Sequence, residues 1–277
     1  MARLGLGLAS LGRPGYLNIG HGDELGADKS VAALRARAHE VLDFAYEAGI
    51  RDFDTARSYG RGEEFLGEWL RSRTPSGVTV SSKWGYVYTA DWEIAADPPE
   101  VKHHDVDTFR RQLEETRSNL GDWLDLYQIH SATPDSGVLE NDAVLSAMVE
   151  AGVPLGVSVS GTSQAETIDR AASLGIFTAV QATWNLHERA AGDALARSGL
   201  KVIVKEGLAN GRLAARDAQA LAVVLAQPWA DVVLSGAASV DVLRSNLRAL
   251  EVDPVDEPGL EEDSEAYWAL RSSLAWN

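Results

Sequence analysis

Asp54, Tyr59, Lys83 and His130 carry the side chains of a proton-donating site, and each stands where a predicted strand runs out. Asp54 and Tyr59 lie in RDFDTARSYG, Lys83 in VTVSSKWGY and His130 in LDLYQIHSAT. A tyrosine serves as a general acid near neutral pH when its pKa falls below its ordinary value of about 10. A lysine ammonium alongside favours the phenolate, and a carboxylate holds that lysine charged and in place. A histidine facing the same pocket orients a carbonyl oxygen to receive the proton. Such a set suits carbonyl reduction. Singly, each residue has a plainer use: Asp54 as a helix cap, Tyr59 as a loop aromatic, Lys83 as a solvated charge, His130 as a structural imidazole. Jointly, the four types at three successive strand ends, with aspartate and tyrosine five residues apart, favour the catalytic reading.

The elements that must position them follow from short apolar runs alternating with helical patterns. Strands are predicted at 3–8, 52–56, 78–83, 124–130, 154–160, 179–185, 201–206 and 231–236. Each is β-branched or apolar and closes on polar or glycine positions, as strands buried on both faces do. Helices are predicted at 30–48, 63–72, 107–120, 138–150, 162–174, 187–198, 213–226 and 239–250. In the first, Val41, Leu42, Ala45 and Tyr46 share one stripe that stops at Gly49. Strict alternation gives a parallel sheet, and eight units close it into a (β/α)8 TIM barrel, one α/β domain over 1–277 with its active site at the C-terminal strand ends. A doubly wound open sheet is the alternative. It would place a G-x-G-x-x-G turn after the first strand, and LGRPGYLNIGHGDELG lacks that spacing.

Two segments depart from regularity. The link 84–106, WGYVYTADWEIAADPPEVKHHDV, is long and aromatic, and Trp84, Tyr86 and Trp92 are read as a substrate-binding wall, with Tyr88 beside them. The alternative is a surface flap packed on its own side chains. The acidic tail from 251 ends in AYWALRSSLAWN, a short helix placed to cover the barrel.

Composition bounds what else the chain could do. It has 277 residues, 45% hydrophobic, enough for one sizeable core, and no cysteine, which excludes disulfides and thiolate chemistry. A net charge of −16 repels nucleic acid and anionic membranes, so any phosphate-bearing ligand needs local cations or helix N-termini. No apolar run approaches the ~18 residues of a membrane span. The opening MARLGLGLASLG has the glycines of a first strand rather than a leader.

The tetrad in its strand context resembles the aldo-keto reductase superfamily, and the resemblance covers nearly the whole chain. It implies a nicotinamide cofactor. AVQATWN is similar to the sixth strand of that family, with Gln181 for the carboxamide and Trp184 stacking on the nicotinamide in place of the commoner tyrosine. LGVSVSG keeps Ser158 but has Val159 where the family has asparagine. VIVKEGLANGRL resembles the pyrophosphate loop through Gly207, Leu208 and Gly211, with Lys205 and Glu206 as departures. LSGAASVDVLRSNLRAL resembles the adenosine-phosphate motif through Gly236, Ala237 and Asn246. The family's basic residue just after this strand is missing, which leaves Arg244 and Arg248 as candidates for a 2′-phosphate or as helix-surface charges. Family habit implies NADPH, with NADH as the alternative.

The expectation is therefore an NADPH-dependent reductase of a small-molecule carbonyl, cytoplasmic, without nucleic-acid or membrane partners, and a monomer or small homo-oligomer. Two other expectations compete: a cofactor-binding regulatory barrel with slow catalysis, and an alcohol or sugar dehydrogenase working in the oxidative direction. A metal-dependent hydrolase built on His103, His104 and Asp105 beside His130 lacks the usual ligand set at the other strand ends, and no metal is expected.

Overall fold

Runs such as the VIV of KVIVK and the VVL of VVLS are apolar at consecutive positions because a barrel strand is covered inside by its neighbours and outside by helices. The computed structural model describes residues 2–20, 24–94 and 96–276. Its strands are β1 (Arg3–Gly7), β2 (Asp52–Asp54), β3 (Thr79–Trp84), β4 (Tyr86–Tyr88), β5 (Glu100–Lys102), β6 (Leu124–Ala132), β7 (Leu155–Val159), β8 (Ala179–Thr183), β9 (Lys201–Lys205) and β10 (Val232–Ser235). Eight of them close a parallel barrel in the order β1-β10-β9-β8-β7-β6-β3-β2, with Leu6 opposite Phe53 sealing the ring. The barrel fold expected from the alternation is the one observed.

Helices α1 (Val31–Glu47), α2 (Gly62–Arg73), α3 (Val106–Leu120), α4 (Asp142–Glu150), α5 (Gln164–Leu174), α6 (Gly192–Arg197), α7 (Asp217–Leu225) and α8 (Val240–Leu247) follow the barrel strands. In α1, Leu34, Ala38, Val41, Leu42 and Ala45 are buried at helical spacing, and the Ser30 side chain caps the first turn by accepting from Ala33 N at 3.2 Å. A short α9 (Ser264–Ser273) begins the C-terminal arm.

The barrel interior is narrow at its floor, where Leu126, Ala179, Ile203, Val232 and Leu234 form a small cluster of their own. Gly5 fits there because a Cβ would stand 2.9 Å from Val232 Cγ1 and 3.0 Å from the Asp52 carbonyl oxygen.

Four elements differ from expectation, one of them the predicted helix 213–226, which starts at Asp217 after a 3-10 turn at Ala214–Arg216. The 84–106 link contains an antiparallel hairpin, β4 with β5, pairing Tyr86 with Lys102 and Tyr88 with Glu100. The predicted helix 187–198 begins only at Gly192, because Asn185 Oδ1 accepts from His187 N (2.9 Å) and Glu188 N (3.0 Å) and holds that stretch in a turn. The predicted helix 138–150 starts at Asp142, capped by Asn141 after a short 3-10 turn.

Candidate active site

Strand pleating decides which side chains can meet inside the barrel. Successive residues face opposite ways, so Ser81 and Lys83 of β3 point inward with Asp54 of β2. Asp54 is almost fully buried and its carboxylate is saturated. Ser81 Oγ (2.6 Å), Gln128 Nε2 (3.2 Å) and Gln181 Nε2 (3.0 Å) donate to one oxygen, and Lys83 Nζ (2.5 Å) donates to the other. Lys83 also donates to Thr55 O at 2.8 Å and stands 3.4 Å from Tyr59 Oη. The turn from Asp54 to Tyr59 is clipped to β3 by Arg57 N donating to Lys83 O at 2.9 Å.

His130 arrives on β6 at a register shift between Ile129 and Ala132, with Ser131 at φ 53. Bulges of this kind re-aim a side chain at a barrel rim. His130 Nε2 lies 3.5 Å from Tyr59 Oη, and Nδ1 lies 3.4 Å from Ser58 Oγ. With the Ser58 hydroxyl donating to Nδ1, the Nε2–H faces the same point as the Tyr59 hydroxyl. The Tyr86 ring packs edge-on to His130, 5.0 Å between centroids.

The electrostatics correct one expectation. Tyr59 is pushed well above its ordinary pKa, by burial first and then by the Asp54 charge, and Arg13 opposes them. Lys83 does not lower it in the way the residue types suggested, because its charge is matched by Asp54 at 2.5 Å. Burial, reinforced by the charges of Lys83, Lys205 and Arg13, holds His130 well below the ordinary imidazole range. The site holds a protonated phenol and a neutral imidazole.

Asp54, Tyr59, Tyr86 and His130 line one cavity of about 540 Å³, a volume suited to a small-molecule site. It runs on past Gln181, Gly207, Leu208, Gly211, Gly236 and Ala237 to Asn246 in α8. Lys83 sits directly behind Tyr59, fully buried.

Other candidates fall elsewhere. Trp184 lies three residues after Gln181 and therefore on the opposite face of the chain. It packs edge-on to Trp229 at 5.5 Å, beneath Arg189, and is not among the cavity-lining residues. Trp84, next to the inward Lys83, points outward and is fully buried against Phe109 and His104. Trp92 donates to Lys29 O at 2.8 Å and lines a separate cavity of about 380 Å³ with Arg57, Arg61 and Tyr88. Arg244 stacks on Phe44 at 5.1 Å, and Arg248 donates to Ser245 Oγ at 2.9 Å; neither lines the main cavity. His104 Nε2 donates to the His130 carbonyl at 3.0 Å.

The far end of the cavity suits an extended dinucleotide. A Cβ on Gly236 would meet nothing within 4 Å, and the Ser239-capped start of α8 adjoins it; nearer the tetrad Ser158, in register with Gln181, has a buried Oγ with no hydrogen-bond partner but is not among the cavity-lining residues. Ser158, Gln181, Gly207, Gly211, Gly236 and Asn246 are the residues that would hold such a cofactor.

Sequence reasoning missed a second layer of charge. Arg13 is buried over the Tyr59 ring at 5.0 Å and donates to Glu100 at 2.9 Å. Lys205 and Glu206, noted only as departures, face the cavity, and Arg271 of α9 donates to Glu206 at 2.5 Å and 3.0 Å. Burial brings Lys205 down to about 8. Burial also acts to raise Glu206, but Arg271 and Lys205 outweigh it and hold the carboxyl at about 2. The strand-end positions of Lys205 and Glu206 were a usable signal; Arg271, from the far end of the chain, offered none.

A closed parallel barrel with this strand-end tetrad defines the class of protein, and the comparisons place it. Residues 3–224 match the model of the Aldo/keto reductase family, and the chain belongs to that family. An aldo-keto reductase of Gibberella moniliformis is 30% identical over 178 residues, 63% of this chain and 50% of that protein. Dihydrodiol dehydrogenase 3 of Bos taurus is 29% identical over 168 residues, 60% of this chain and 47% of its own. The chain spans about half the length of the curated relatives it matches. Among solved structures, one from Pseudomonas aeruginosa assigned to the aldo-keto reductases superposes with a TM-score of 0.68 at 26% identity, covering 88% of each chain. An aldo-keto reductase from Bacillus halodurans gives 0.69 at 20% identity, over 99% of this chain and 92% of that one, a likeness of fold. Among the described residues no helix is long and apolar enough to cross a membrane.

Proposed function

We propose that this protein is an NAD(P)H-dependent oxidoreductase that reduces an aldehyde or ketone to the alcohol. The observation that carries the reading is the convergence of Tyr59 Oη and His130 Nε2, 3.5 Å apart, on one point of a cavity that runs on past Gly207 and Gly236 to Asn246. The cofactor, when bound, supplies the hydride. The protein's own residues do the rest. His130 Nε2–H and the Tyr59 hydroxyl orient the carbonyl oxygen, and Tyr59 gives its proton to the developing alkoxide. Lys83, anchored and charge-matched by Asp54, donates toward the Tyr59 oxygen from 3.4 Å and holds that hydroxyl in place. A phenol held well above its ordinary pKa favours the reductive direction, since oxidation would need it as a base.

The choice of cofactor turns on the adenosine end. Asp241 lines the cavity there with Asn246, and Asp217 beside them is engaged by Asn246 at 2.9 Å and Arg248 at 3.8 Å, while neither Arg244 nor Arg248 lines the cavity. A carboxylate suits a ribose 2′-hydroxyl and repels a 2′-phosphate, which favours NADH over the NADPH of family habit.

The test is oxidation of NADH and NADPH over a panel of aldehydes, quinones, keto sugars and ketosteroids, wild type against Tyr59→Phe. Turnover should fall by about 10²–10⁴-fold in the variant, the usual worth of a general acid, with cofactor affinity kept. Retention of more than a small fraction of the wild-type rate would sink the assignment of Tyr59.

A further inference from the structure

Arg13 is among the most deeply buried side chains of the protein, 2% exposed, and the reductase mechanism above gives it no task. It reaches its place because the loop after β1 runs against the Tyr59 turn. A Cβ on Gly12 would collide with the Tyr59 carbonyl oxygen, and Arg61 N donates to Gly12 O at 2.8 Å. From there the guanidinium lies over three rings, Tyr59 at 5.0 Å, Tyr16 at 5.2 Å and Trp276 at 4.4 Å. Nη1 donates to Ser58 O at 3.0 Å and to Glu100 Oε2 at 2.9 Å, while Nε has no acceptor. A buried cation with an incomplete set of partners costs stability, so its retention over this ring asks for a use.

We propose that Arg13 is a positioning residue that sets the acidity of Tyr59 through the face of its ring, with Glu100 of the hairpin as the counter-charge that moderates it. The inference rests on the reductase reading. A phenol that gives up its proton becomes a phenolate, and a cation against its ring stabilises that anion most when both are out of water. The groups facing Tyr59 make Arg13 the adjustable one. Lys83 is spent on Asp54 at 2.5 Å, His130 is neutral, and Asp54, Glu100 and Glu206 all disfavour the phenolate. Arg13 works against those three carboxylates. Glu100 sits on β5, so the hairpin that walls the cavity also carries the charge that weakens Arg13.

The experiment is an alkaline titration of tyrosinate absorbance on the cofactor-free protein, each form measured against the same form carrying Tyr59→Phe. Removing the cation and removing its counter-charge should act in opposite directions. Arg13→Met should move the Tyr59 ionisation to higher pH, Arg13→Lys should lie near wild type, and Glu100→Gln should move it to lower pH by about one pKa unit, a tenfold change in the ionisation constant. In steady state with an aldehyde, Arg13→Met should lose about tenfold or more in kcat with KM within about threefold, as expected for a group felt in the transition state, and Arg13→Lys should recover most of it. Glu100→Gln leaving the ionisation in place, both variants moving it the same way, or a loss confined to KM would overturn the proposal. Should Arg13→Met fail to fold, Glu100→Gln decides alone. A wild type inactive on every carbonyl refutes the reductase reading, while the titration still judges Arg13.

Discussion

Replacing Lys83 with methionine tests the centre of the site through stability before it tests catalysis. The Lys83–Asp54 pair is buried, with side-chain exposures of 0% and 5% and a separation of 2.5 Å. Breaking such a pair from one side strands a charge and costs about 3–5 kcal/mol. Here Asp54 keeps three neutral donors, Ser81 at 2.6 Å, Gln181 at 3.0 Å and Gln128 at 3.2 Å, which places the cost at the low end, about 3 kcal/mol. For a domain of this size that is roughly 6–12 °C in Tm. The sharper measurement adds Asp54→Asn. The double variant no longer holds a stranded carboxylate, and its amide oxygen still accepts from Ser81. Urea unfolding should therefore find it more stable than Lys83→Met alone by about 1–2 kcal/mol, the non-additivity of a coupled pair. A double variant that loses the sum of the two single losses would refute a buried, mutually neutralising pair. With it would go the explanation of why Lys83 fails to acidify Tyr59.

Trp184→Leu should leave NADH and NADPH affinity unchanged while costing about 2–3 kcal/mol in urea unfolding, because it empties a core site against Trp229; weakened cofactor binding would return Trp184 to the cleft. His104 is held at about 4, below its ordinary 6.5, by burial and by the Lys102 charge. Its neutral folded form therefore adds stability that is full above pH 6.5 and lost as pH falls toward 4, up to about 3 kcal/mol, and His104→Gln should flatten the stability profile across that window. Exchanging Asp241 for alanine should narrow any preference for NADH over NADPH, and removing Arg244 and Arg248 together should affect the two cofactors alike. A selective loss of NADPH from that double removal would restore the arginines as the 2′-phosphate site.

The barrel was legible because most strands are short apolar runs, such as LGVSV and KVIVK, and longer helical patterns alternate with them. The tetrad was legible for a related reason: Asp54, Lys83 and His130 are polar residues at the ends of apolar runs, where burial needs an explanation. The helix boundaries at Asp142 and Gly192 were less so, since Asn141 and Asn185 set them by side-chain capping that competes with apolar patterning. Tyr86 was read correctly as a cavity residue while its neighbour Trp84 was not, although both sit in one aromatic segment. They share one parity against Lys83; what separates them is Gly85 at φ 109, which ends β3 and turns the chain into β4.

Strand parity explains Trp184 and shows where reading by resemblance gives way to reading by geometry. Gln181 and Thr183 of β8 face inward: Gln181 donates to Asp54, and Thr183 Oγ1 donates to Glu206 Oε2 at 3.2 Å. Trp184 must then turn outward, whatever aromatic a relative carries nearby. The inward wall beside β8 is instead charged, since Lys205 pairs in register with Thr183 and Glu206 follows it. A strand end carrying lysine and glutamate in place of a ring cannot stack by dispersion alone. It needs neutralising partners, and Arg271 comes from the last helix to supply one. That requirement ties the C-terminal arm to the cavity through two contacts, Arg271 on Glu206 and Trp276 on Arg13. The arm is thus held by the same charges that the barrel mouth must keep buried, and the Trp276–Arg13 contact joins the two ends of the chain, which no local pattern could announce.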